Sequence, residues 1–140
     1  APTNVLHFMS PSELWLFLPL GYLVTILIET PILFVGLSAR HSTKRKLLTG
    51  VWLTACTYPI VTLVLPLALA HTSRMVYLVV AETFAPVAEC ALFWLAFGRS
   101  DELGGRSMWR DFATIVVANL ASFILGEVLN AYYWFALSGG

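Results

Sequence analysis

The sequence predicts an all-α integral membrane protein, an antiparallel bundle of four transmembrane helices with both termini on the outer side. Three observations carry this. Of its 140 residues, 59% are hydrophobic and 11% charged, with a mean hydropathy of +0.80, whereas a soluble domain is about 25% charged and about 45–50% apolar. The apolar residues fall in long unbroken runs and not in the alternating ten-residue segments of barrel strands. The cations gather at the ends of those runs.

A helix that crosses the bilayer needs about 20 mostly apolar residues, and four runs meet this. The first covers about 12–37. It opens on Ser10, Pro11 and Glu13, the residue types of an N-cap, a first helical position and a capping box. No basic region precedes it and the run is long, so it reads as a span and not as a cleaved leader. The second covers about 47–70 and contains no charged residue. The third covers about 75–98, joined to the second by the short His71–Arg74 connection, which requires a hairpin. The fourth covers about 112–137. The length suits one transmembrane domain over residues 1–140.

Seven cations, Arg40, Lys44, Arg45, Lys46, Arg99, Arg106 and Arg110, fall in the first and third loops, against Arg74 alone on the other side. The positive-inside rule then puts loops 38–46 and 99–110 in the cytoplasm and both termini outside, in a plasma-type or inner membrane. Formal net charge is zero, which argues against nucleic acid as a partner.

Glu29, Glu82, Glu89 and Glu127 lie inside the predicted spans, where no Lys or Arg accompanies them. An acidic residue at bilayer depth is costly, faces the bundle interior and marks a functional site by default. Burial favours the neutral acid. At about 1.5 Å per residue, Glu29 and Glu89 sit roughly 12–14 Å from the cytoplasmic ends of their helices. They form an inner pair, and Glu82 and Glu127 an outer one. Glu82 and Glu89 are two turns apart on one face. Asn130 shares a face with Glu127, and Thr114, Asn119 and Ser122 extend the polar stripe of the last span. A file of carboxyls down a bundle has the geometry of a proton or cation path. Protonated Glu can equally act as interhelical glue.

Pro31, Pro59 and Pro86 lie well inside spans, where a missing N–H kinks the helix and frees a carbonyl. Cys56 and Cys90 are level with the inner pair. With Glu29 and Glu89 they make a mixed oxygen and sulfur set of the kind that suits Zn²⁺. Two isolated cysteines are no disulfide framework. His7, His41 and His71 lie at span ends or in loops, which leaves no haem ligand at membrane depth. No nucleophile elbow, P-loop or dinucleotide fingerprint is present, so an enzyme is the weaker expectation and no cofactor is indicated. Ala118, Ser122 and Gly126, spaced by four, form a stripe against which another helix packs closely. Trp15, Trp94, Trp109, Tyr132, Tyr133 and Trp134 read as interfacial anchors. Glu29–Phe34 and Glu89–Phe93 share a faint pattern, as two related hairpins would produce.

In layout and in Glu29 of the first helix, the chain resembles the small multidrug-resistance transporters, in which a membrane carboxylate exchanges protons for cationic drugs. The resemblance covers those two features only. Three further intramembrane Glu residues and longer cytoplasmic loops set this sequence apart, so no function is carried over. The residues themselves point first to a protein that handles protons or small cations through Glu29, Glu82, Glu89, Glu127 and Asn130, as a transporter or as a channel or transporter subunit. Four helices enclose little volume, so a homo-oligomer or a larger membrane complex is expected alongside the lipid bilayer. The alternatives are an accessory subunit of such a complex and a membrane enzyme with a Glu/Cys metal site.

Overall fold

Caps and prolines set where each helix begins and bends. The computed structural model describes residues 11–97 and 105–138, with side chains from 18 to 97 and from 107 to 132 apart from 130. Helix α1 spans Pro11–Gly36 and opens on the proline, whose fixed φ and missing N–H suit the first helical position. Ser10 and the side chains of Glu13 and Trp15 lie outside the described residues. Helix α2 spans Thr43–Pro59 and continues through a π-helical turn, Ile60–Val64, into α3, Leu65–Ala68. Helix α4 spans Arg74–Phe97 and α5 spans Gly105–Ser138. The α2–α3 rod counts as one, so four helices are long and apolar enough to cross a membrane, and no strand is present among the described residues.

Two helix starts differ from the sequence expectation. Helix α2 begins at Thr43 because the Ser42 hydroxyl accepts the Arg45 N–H at 3.2 Å, an N-cap that the apolar run alone does not reveal. Helix α5, Gly105–Ser138, takes in residues ahead of the apolar run that starts at about 112. Lys44, Arg45, Lys46 and Arg110 are therefore helical residues and not loop residues.

The π-helical turn lies between Pro59 and Pro66. Neither proline can donate to the helix ladder, and the chain widens between them. In an i to i−5 pattern the missing Pro66 N–H would have served Val61. The Tyr77 hydroxyl of α4 donates to that carbonyl instead, at 2.9 Å.

The apolar core lies toward the end of the bundle that carries the cations, built from Leu33, Leu37, Leu53, Phe93, Ile115 and Ala118. Two glycines let backbones approach there. A Cβ on Gly50 of α2 would collide with Thr30 of α1, and one on Gly36 of α1 with Thr114 of α5. The exposed carbonyls at the end of α1 are capped by cations from its neighbours. Lys46 donates to the Phe34 and Leu37 carbonyls at 3.3 and 3.1 Å, and Arg110 to that of Gly36 at 2.9 Å. Cations at a helix C-terminus also complement its dipole.

The small-residue stripe of α5 divides on inspection. Ala118 is in the core, Ser122 is hydrogen-bonded to Glu29, and among the described residues nothing lies within 4 Å of a Cβ built on Gly126. Gly50→Ala should therefore destabilise the fold by about 1–3 kcal/mol through overpacking, because the Thr30 backbone is among the atoms it meets. Gly126→Ala should be neutral or stabilising by up to about 1 kcal/mol, the helix-propensity gain of alanine. Thermal unfolding of the two variants in one detergent checks the opposite signs.

Candidate functional site

Glu29 of α1 and Glu89 of α4 are both buried, 3% and 2% exposed, and each is held by the same two helices. One Glu29 oxygen is 2.6 Å from Ser122 Oγ of α5 and the other 3.2 Å from Thr54 Oγ1 of α2. One Glu89 oxygen is 2.6 Å from Thr57 Oγ1 of α2, and the other accepts from Asn119 Nδ2 of α5 at 2.7 Å. Thr54 and Thr57, like Asn119 and Ser122, are three residues apart and so share a helix face. One polar layer thus draws on all four spanning helices.

Counting hydrogens defines what this layer can hold. A hydroxyl has one hydrogen and two acceptor sites. Each hydroxyl here lies between a carboxyl oxygen and a carbonyl of its own helix: Thr57 against Leu53 at 3.1 Å, Ser122 against Asn119 at 3.0 Å, Thr54 against Gly50 at 2.8 Å. A hydroxyl that donates to its carbonyl must accept from a protonated carboxyl, and one that donates to a carboxylate releases its carbonyl. Asn119 uses both amide hydrogens, on Glu89 and on the Ile115 carbonyl at 3.0 Å. The layer therefore accommodates the acid and its conjugate base by turning hydroxyls between helix carbonyl and carboxyl, with the same carboxyl neighbours in both states.

The other predicted acids stand apart from this layer. Glu82 is half-buried, and its Oε2 has no hydrogen-bond partner. Its charge is within range of Glu29 and Glu127, and that of Glu89 within range of Glu29. Glu127 does have a cation, contrary to the expectation of unaccompanied carboxyls. Arg74, the first residue of α4, reaches its two oxygens at 3.0 and 2.8 Å. Arg74 stands at the start of its own helix, and the pair is exposed, 48% and 39%. The side chain of Asn130 lies outside the described residues.

The mixed metal set of Glu29, Glu89, Cys56 and Cys90 does not assemble. No group of three or more His, Cys, Asp or Glu side chains suited to a metal occurs among the described residues. Cys90 follows Glu89 by one position, about 100° around the helix, and its Sγ faces the Phe112 carbonyl at 3.9 Å. Cys56 is a half-buried free thiol.

Sequence reasoning missed a second buried cluster at the cationic end. Asp111 of α5 is fully buried. It accepts from the Ser38 N–H at 2.7 Å, the Ser38 hydroxyl at 3.1 Å and Arg40 Nη2 at 3.0 Å, and it contacts His41 Nε2 at 2.9 Å. The 38–42 connection is thereby clamped onto α5. Burial holds the His41 imidazole below its ordinary range, although the Asp111 carboxylate pulls the other way. The available signal was Asp111 itself, an acid among cations at the edge of an apolar run.

Comparison with protein families, with curated proteins and with solved structures finds no match. The class that the fold supports is an all-helical bundle with four helices long and apolar enough to cross a membrane, and its chemistry has to be read from the residues above.

The two carboxylate–arginine pairs should differ sharply in weight. Asp111→Ala strands the largely buried Arg40 side chain, 9% exposed, and should cost about 3 kcal/mol, whereas Glu127→Gln breaks an exposed pair worth at most about 1 kcal/mol. Denaturant unfolding of both variants in mixed micelles checks the contrast.

Proposed function

We propose that this protein handles protons through Glu29 and Glu89, as a small transporter or as a subunit of a channel or transporter. The observation that carries the reading is the pair of buried carboxyls tied to α2 and α5 through hydroxyls that can donate in either direction. A proton fits this layer better than a metal ion, because every carboxyl oxygen already has a hydroxyl or amide neighbour. Glu82, within range of Glu29 and Glu127, extends the file toward the opposite end. Asn130 belongs with Glu127 in that outer part by its spacing.

Magnitudes favour use over mere packing. An acidic residue at mid-membrane costs roughly 2.5–3.5 kcal/mol on the insertion scale. Two interhelical hydrogen bonds of roughly 0.6 kcal/mol each offset less than half of that.

The orientation that goes with this function is an antiparallel bundle with both termini outside and residues 38–46 and 99–110 in the cytoplasm of a plasma-type or inner membrane. The seven-to-one distribution of cations supports it. So do contacts between α1 and α5 that run in opposite chain directions, Gly36 against Thr114 and Glu29 against Ser122. Assembly with further copies or with a larger membrane complex follows from how little volume four helices enclose. A second reading, an accessory subunit with protonated Glu as packing glue, draws on the same fact that both carboxyls are fully hydrogen-bonded.

Proton flux into proteoliposomes separates the two. Glu29→Gln and Glu89→Gln retain a donor and an acceptor, so they should unfold within about 1.5 kcal/mol of wild type yet abolish flux. A well-folded wild type that passes neither protons nor small cations would overturn the transport reading in favour of the accessory subunit.

A further inference from the structure

Beyond the carboxyl layer, the cationic end holds a buried group that the proton-handling reading does not use. His41 is 4% exposed, and its Nδ1 is a buried nitrogen without a hydrogen-bond partner. Its Nε2 is 2.9 Å from Asp111 Oδ2 and 3.1 Å from Arg40 Nε. Two acceptors cannot share a bond, so Nε2 carries the hydrogen that goes to the carboxylate. Arg40 then turns its Nε to Asp111, 3.3 Å away, and the Nδ1 lone pair is left bare. The ring lies edge-on to Phe93 and Phe97 of α4, with centroids 5.1 and 5.9 Å away, and those two rings are 5.2 Å from each other. Phe93 is buried and stands one turn beyond Glu89 on the same helix, so it shares that residue's face. The three mutually contacting rings lie between Glu89 and the Asp111 cluster.

We propose that His41, Phe93 and Phe97 form an aromatic plug over the cationic end of the Glu29–Glu89 layer, latched by Asp111 and released when His41 takes up a proton. A proton on Nδ1 would create a buried N–H with no acceptor, and an unsatisfied charged donor is costly. The charged groups that act on the ring are Asp111 of α5, Arg40 beside it in the chain and Arg45 of α2, while α4 brings the two phenylalanine rings. Arg45 also lies over the Phe97 ring, 4.8 Å from its centroid. The single carboxylate is thus already paired with Arg40 when a second positive charge arrives.

The sign follows from the direction of the shift. Burial lowers the His41 pKa in the latched state from its ordinary 6.5. The released state then binds the proton more readily, so the latch is fully favoured above pH 6.5 and weakens as the pH falls below it. The consequence for transport, access to the carboxyl layer from the cationic side at low pH, rests on the proton-handling reading. The latch itself does not.

Hydrogen exchange in lipid nanodiscs tests it. The Ser38 amide donates directly to Asp111 and reports the latch. The probe is acid alone, from about pH 7.5 to about pH 5.5, which brackets histidine titration, with rates corrected for intrinsic pH dependence. NMR of the imidazole follows His41 in the same samples. The expected result is the neutral Nε2–H tautomer at the upper pH, and loss of Ser38 protection in step with His41 protonation. Amides within α4 should be unchanged. His41→Gln keeps an N–H for Asp111 without a titrating group, and it should hold its protection throughout. Ser38 protection that survives His41 protonation in wild type would overturn the latch, as would an equal loss in His41→Gln. Should that variant not fold, the wild-type comparison decides alone. Flux plays no part in this readout, so an intact latch beside absent flux would sink the transport reading only.

Discussion

Inside a bilayer the chain has no water with which to satisfy a polar group, so every buried donor and acceptor must find its partner in the protein. Glu29 and Glu89 impose this requirement on the whole bundle. Each is buried in an otherwise apolar stretch, and each needs polar partners on two other helices. Thr54 and Thr57 must then face inward on α2, and Asn119 and Ser122 on α5. Once these four side chains meet the two carboxyls, the rotation of every spanning helix about its own axis is fixed. The Leu33, Leu53, Phe93 and Ile115 core follows from those rotations, because each lies within a turn or so of a layer residue on the same face.

The two ends of the bundle are secured by different means. At the cationic end, Asp111 gathers Ser38, Arg40 and His41 into one buried cluster, and Lys46 and Arg110 cap the last carbonyls of α1. Breaking this end means stranding buried charge. At the other end, the polar contacts include a tyrosine on a proline-freed carbonyl and an exposed ion pair, beside the packing of Tyr58 on Gly21 and Tyr22. Those interactions are individually weak, and the helix between Pro59 and Pro66 is already widened.

The carboxyl layer also has an internal likeness. Glu29 reaches a threonine on α2 and a polar residue on α5, and Glu89 does the same one turn away on both helices. The faint repeat of Glu29–Phe34 in Glu89–Phe93 falls on just these two positions. Like acids in like settings suit a proton that passes between equivalent partners, since neither site then traps it.

Much of the architecture was legible because lipid solvation acts on composition alone. Long apolar runs had to be helices, cations had to lie at their ends, and buried glutamates had to face inward. The order of the spans and the prominence of Glu29 and Glu89 came from the sequence on those grounds. Other features depended on which side chains meet across helices, and one-dimensional spacing carries no such information. Arg74 finding Glu127, Cys90 turning from its neighbour Glu89, and Gly36 and Gly50 making the close approaches in place of Gly126 are of this kind. His41 looked like a loop residue and proved to be buried, because Asp111 folds the 38–42 connection down onto α5. The sequence by itself determined that there would be four helices and which residues would be costly to bury. Only the tertiary structure decided which partners would satisfy them, because a hydrogen bond depends on distance and direction between helices that the chain order leaves free.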